Sequence, residues 1–104
     1  MLSPKYSKGR GPTIKGERIM VMLMNYPAGP EQKPHRHPNE QIQVALKGRT
    51  RGVLGGKPYA MGPGDINVKP ANTEHWGQIL EEYTNLTCKD IVPGWSVYHA
   101  QWEK

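Results

Sequence analysis

The sequence predicts an all-β, antiparallel barrel or sandwich of many short strands. Two observations carry that prediction. The 12 glycines and 10 prolines are spread along the whole 104-residue chain, between apolar β-forming segments. About eight such segments recur at short, even spacing, and none has the periodicity of an amphipathic helix. The length, residues 1–104, fits one small domain.

Residues 18–26, with three methionines among Ile19, Val21 and Leu23, are β-prone and continuous enough for a well-buried strand. One of the two alternating sets is expected to line the barrel and the other to pack outside. Pro27 to Pro34 is a turn-rich connection. Residues 40–47 alternate, with Ile42, Val44 and Leu46 on one face and Gln41, Gln43 and Ala45 on the other. Gly48 is read as the end of that strand. Residues 50–54 form the next, closed by the tight-turn pair Gly55-Gly56. Residues 57–61 follow, then the turn 62–65, then a strand over 66–69 stopped by Pro70. Segments 75–80, 83–91 and 95–102 complete the set, with Glu81-Glu82 as an exposed turn.

Phe is absent, so the large core side chains are Leu, Ile, Met, Tyr and Trp. So modest a core is often supplemented by a metal, a partner subunit or barrel closure. The single Cys88 excludes an intramolecular disulfide and reads as an inert buried thiol. No apolar run approaches a membrane span, and the N-terminus shows no apolar signal-peptide core. A cytoplasmic protein with no membrane partner is the expectation. The formal charge is +5, and Lys5, Lys8, Arg10, Lys15 and Arg18 crowd residues 1–17 and the position just after. That segment is read as a solvated basic arm or edge strand, not as a nucleic-acid contact, because no aromatic interleaving or binding motif accompanies it. Net positive charge does attract small anions.

The chemistry centres on His35 and His37. A pair spaced i, i+2 on extended backbone points both imidazoles to one face. Neutral imidazole is a ligand for zinc, copper, iron and nickel. His75, distant in sequence, opens a strand just after the turn Pro70-Ala71-Asn72.

The spacing around these histidines resembles the cupin superfamily, small jelly-roll β-barrels. The first motif of that family runs Gly, five residues, His-x-His, three or four residues, Glu, six residues, Gly. Here Gly29, His35-Arg36-His37, Gln41 and Gly48 fit it, with Gln in place of Glu. The second motif runs Gly, five residues, Pro-x-Gly, two residues, His, three residues, Asn. Gly64, Pro70-Ala71-Asn72, His75 and Ile79 fit its spacing. Asn72 replaces Gly and tolerates a left-handed turn conformation. Ile79 replaces Asn and has no polar role.

The resemblance implies a double-stranded β-helix holding one divalent transition metal (Zn, Fe, Mn, Ni or Cu), with His35, His37, Gln41 and His75 as ligands. Glu40 is the alternative third ligand. If the apolar face of residues 40–46 points inward, Glu40 goes with it. If the strand runs unbroken from His35, alternation turns Gln41 inward, and the motif spacing favours that choice. Pro38 is a place where the parity can break. Three imidazoles and an amide leave the metal charge uncompensated, which suits an anionic or enolisable oxygen ligand.

Other residues carry weaker readings. Gln43 shares the parity of Gln41 and is a pocket candidate. Tyr59 and Tyr98 are candidate acids or hydrogen-bond donors to substrate. Arg36 and Trp76 should face away from the site. Trp95 and Trp102 read as packing or interface residues, and His99 lies too far from either motif to be a ligand. With Gln41 inward, the apolar Ile42, Val44 and Leu46 face out and predict a homodimer.

Function is open, because this fold hosts many activities. The leading expectation is a metal-dependent enzyme acting on a small oxygen-rich substrate, anionic ones included, with the metal as Lewis acid for isomerase, lyase or cyclase chemistry. The alternatives are a non-haem metal dioxygenase and a non-catalytic small-molecule sensor or binding module.

Overall fold

The computed structural model describes residues 9–94. Lys5, Lys8 and the expected strand 95–102, with Trp95, Tyr98, His99 and Trp102, lie outside the described residues.

Six strands make up the described chain: β1 (Thr13–Lys15), β2 (Ile19–Tyr26), β3 (Gln41–Leu54), β4 (Lys57–Met61), β5 (Ile66–Lys69) and β6 (His75–Asp90). Every pairing is antiparallel. The order is β1-β2-β6-β3-β4, with β5 also pairing β3. β3 is the organising element. Its first half takes β5, its second half takes β4, and β6 runs along its other side throughout. This is the antiparallel jelly-roll that the sequence predicts.

Two boundaries differ from expectation. Segments 40–47 and 50–54 are one strand, and so are 75–80 and 83–91. The cause is Gly48. It adopts φ 85°, and the β3–β6 register slips between Ala45 and Thr50. A bulge here bends the ladder without ending it. A Cβ on Gly48 would collide with the Glu82 carbonyl oxygen, so only glycine fits. Glu81 and Glu82 are therefore exposed strand residues opposite the bulge, not a turn. β1 adds three residues to the edge of β2, so within the segment read as a basic arm or edge strand residues 13–15 are an edge strand. The expected turn at Gly55-Gly56 is present, with φ 57° and 82°, the backbone of a type I′ hairpin.

Alternation decides what faces inward. Met20, Met22 and Met24 are buried, while Ile19 and Leu23 are exposed. They form one apolar cluster with Tyr26 and Ile91; Ala45, Met61 and Tyr83 form another with Tyr26, Tyr59 and Ile79. The rest of the interior is polar: Gln41, Gln43, Thr50, Lys69, Asn85, Thr87 and Lys89 are all buried. The outer face is correspondingly apolar. One cross-strand row runs Ile14, Val21, Cys88, Ile42, Val68, and the next runs Leu23, Leu86, Val44, Ile66. Cys88 is half-buried on that outer face, not a core thiol. Among the described residues no helix is long and apolar enough to cross a membrane.

Candidate functional site

Residues 29–35 reach the start of β6 through backbone hydrogen bonds. Gly29 N–H donates to the Ile79 carbonyl, Gln32 N–H to the Gly77 carbonyl, and His35 and His75 exchange bonds in both directions. That bridge brings His35 beside His75. The turn after β5 completes the frame. Asn72 adopts φ 59°, the left-handed conformation anticipated for it, and its N–H donates to the His37 carbonyl at 2.8 Å.

The three imidazoles therefore cluster. Ring centroids are 4.5 Å apart for His35 and His75, 5.1 Å for His37 and His75, and 6.2 Å for His35 and His37. Each Nδ1 meets a backbone carbonyl two residues away: Lys33 at 2.8 Å, Asn39 at 3.2 Å and Thr73 at 2.9 Å, respectively for His35, His37 and His75. To bond a carbonyl, Nδ1 must carry the hydrogen, which leaves the lone pair on Nε2. Burial pushes all three rings below the ordinary imidazole range, His37 and His75 to about 3. They are neutral at physiological pH, the form in which imidazole binds a metal.

Gln41 is buried and faces the same cavity, as unbroken alternation predicts. Glu40 is exposed; its N–H donates to Asp90 Oδ1 at 2.6 Å on the outside of the barrel. Gln43 lines the cavity and accepts a 2.9 Å hydrogen bond from the Tyr83 hydroxyl. Tyr59 also lines it, and burial pushes its phenol up to about 12, so it stays a donor. Tyr98 lies outside the described residues. Arg36 is exposed and reaches the Asn72 carbonyl at 3.5 Å. Trp76, expected to face away, lines the cavity, and the Arg51 guanidinium stacks on it 5.3 Å from its ring centroid.

Lining or flanking residues that were not singled out from the sequence include Tyr83, Asn85, Lys69 and Lys89. Lys69 and Lys89 are the cross-strand partners of Gln41 on its two sides. They are 6% and 3% exposed. Burial lowers the Lys69 amine to about 8; burial and the neighbouring Lys69 charge lower Lys89 to about 7. Their place follows from the register that pairs both with Gln41, and that long-range register is not written in the local sequence.

The cavity has a volume of about 70 Å³, and among the described residues no Asp, Glu or Arg lines it. As the side chains stand, no three His, Cys, Asp or Glu among the described residues are spaced to hold an ion. The donor chemistry nonetheless fits a metal: neutral imidazoles with oriented Nε2 atoms, and a buried amide beside them.

The family model for the Cupin domain matches residues 22–82. No curated protein matches the chain significantly. Among solved structures the chain is similar to KdgF from Halomonas sp., with 22% identity, TM-score 0.70, and coverage of 80% of this chain and 78% of that one. It is similar to an RmlC-like cupin from Shewanella frigidimarina, with 16% identity, TM-score 0.66, and coverage of 74% and 69%. It is also similar to the DMSP lyase DddQ from Ruegeria pomeroyi, with 21% identity and TM-score 0.69, over 83% of this chain but 46% of that one. These likenesses concern the fold. With its family match spanning more than half the sequence and its antiparallel barrel around paired histidine motifs, the chain belongs to the cupin family.

Proposed function

We propose that this cavity is the active site of a metal-dependent enzyme acting on a small oxygen-rich substrate, by isomerase, lyase or cyclase chemistry. One observation carries the reading. Three neutral imidazoles, each held by a backbone carbonyl at Nδ1, cluster at one cavity. His35, His37 and His75 would hold a divalent transition metal, with Gln41 as the fourth ligand. When bound there, such an ion supplies a Lewis acid for a substrate carbonyl or enediol oxygen.

The chain's own residues do the rest. Tyr59 keeps its proton and donates to a substrate oxygen. Tyr83 holds Gln43 Oε1, which fixes the amide so that its NH₂ can serve the cavity. The methionine cluster packs against Tyr26, a residue of the cavity wall, and makes that part of the barrel interior apolar. The occurrence of a lyase among proteins of similar fold is consistent with this class. We further propose that residues 1–104 act as one barrel and that two copies pair through the apolar outer face.

The test is elemental analysis of protein purified without a histidine tag, followed by an oxygen electrode. Stoichiometric zinc, manganese or nickel without oxygen uptake is the expected result. Iron or copper with substrate-dependent oxygen uptake would transfer the site to dioxygenase chemistry. Protein without metal that also refuses added zinc would end the reading.

A further inference from the structure

The barrel encloses two lysines that a metal site does not need. Lys69 lines the cavity, with Nζ 5.7 Å from the Tyr59 ring centroid. Lys89 sits on the far side of Gln41, almost wholly buried. A buried ammonium without a counter-charge is costly. Yet among the described residues the sole carboxylate ion pair is Arg51–Glu31, 42% and 56% exposed, so no carboxylate neutralises either lysine. Among the described residues the cavity wall has no carboxylate either. Asn85 gives an independent sign. It lines the cavity, is 0% exposed, and its Nδ2 donor makes no hydrogen bond of full geometry among the described residues, its side chain lying near the Tyr83 hydroxyl. Positive charge and an orphaned donor at one cavity lack the same thing, a negatively charged acceptor.

Resting on the active-site reading of this cavity, we propose that its ligand is a small organic carboxylate, ion-paired to Lys69, with Asn85 as a second donor and Lys89 adding positive field from behind Gln41. A phosphate is the poorer fit. A phosphate presents more oxygens than a carboxylate, and among the described residues no arginine lines this cavity to supply the extra donors that a guanidinium fork would add to Lys69 and Asn85. The 70 Å³ volume suits a compact acid of a few carbons.

The experiment is calorimetric titration of chelator-treated protein with malonate, neutral malonamide and inorganic phosphate. Malonate should bind saturably, malonamide should not, and phosphate should bind more weakly. Lys69→Met should weaken malonate at least tenfold, and Lys69→Arg should restore most of the loss. Lys69→Met removes a desolvated charge, so it should fold with a Tm at or above wild type, which guards against loss by misfolding. Malonate binding that is unchanged in Lys69→Met, or matched by malonamide, overturns the proposal. Phosphate binding tighter than malonate overturns the carboxylate assignment. Zinc titration of the same samples separates the two readings. If malonate binds as expected while zinc does not bind, the metal reading fails and the anion site stands. If zinc binds and malonate does not, with or without zinc, the anion site fails alone.

Discussion

His35 and His75, forty positions apart in the chain, face each other across an isolated antiparallel bridge, with backbone N–H to carbonyl distances of 3.0 and 2.9 Å. The bridge fixes both backbones where the Nδ1 bonds to Lys33 and Thr73 already fix the rings. The cluster is thus oriented by main chain, which ligand side chains do not have to rearrange to provide.

His37→Ala should strip the proposed metal and any activity dependent on it. Gln41→Ala should weaken metal affinity less, because an amide oxygen is a poorer donor than imidazole. Glu40→Ala should leave metal content unchanged, since Glu40 is exposed and its N–H is engaged by Asp90 outside the barrel. Metal content of the three variants, measured side by side, checks the assignment; metal loss from Glu40→Ala would contradict it.

The buried lysines make stability rise with alkalinity. Lys69 and Lys89 titrate near 8 and 7 in the fold, against 10.5 unfolded. Between those values the unfolded chain binds more protons, so unfolding free energy increases with pH. A tenfold difference in proton affinity between the two states corresponds to about 1.4 kcal/mol. Chelator-treated protein should therefore melt on the order of 10 °C higher at pH 9.5 than at pH 7. Above 10.5 the trend should reverse, because Tyr59 ionises near 12 when folded and near 10 when unfolded. Lys69→Met with Lys89→Met should flatten the rise. A melting temperature that is level from pH 7 to 9.5 in the wild type would refute it.

Acid acts through the histidines. His37 and His75 titrate near 3 in the fold against 6.5 unfolded. From pH 6.5 downward the unfolded chain takes up protons that the folded chain refuses, so stability falls as pH falls toward 3. Bound metal would be lost over the same range, because protons compete for Nε2. Calorimetric melting from pH 7 to 4.5, with and without chelator, should show the decline in both samples.

The outer face should pair two copies. Ile42, Leu46, Ile66 and Val68 are 41%, 49%, 64% and 46% exposed. Each side chain gains about 1.5–3 kcal/mol on full burial. A contiguous patch of this kind is rare on a small monomer, and a two-fold pairing of sheets covers it symmetrically. Light scattering at micromolar concentration should give a dimer for the wild type and a monomer for Val44→Lys. A monomeric wild type would leave the patch unexplained by pairing.

Much of the fold was legible because strand and turn chemistry is local. The Gly55-Gly56 hairpin, the left-handed Asn72 and the strands at β2, β4 and β5 follow from residue type and spacing alone. The two histidine motifs likewise pointed to the family and the ligand candidates. Gly48 was misread because a glycine that ends a strand and one that bulges it look the same in sequence; the difference is the Glu82 carbonyl packed against it. Which face of β3 turns inward was legible only through the motif spacing and the parity counted from His35, not from the alternation of β3 itself. The alternation Gln41, Ile42, Gln43, Val44 is identical for a barrel with an apolar core and for one with a polar core. Closure of the barrel chose the polar one, placing Gln41 between Lys69 and Lys89 and leaving Ile42 and Val44 to the outer rows. Residue order supplies the period of a strand, but its phase is set by which side the other strands enclose, and that is a property of long-range pairing only.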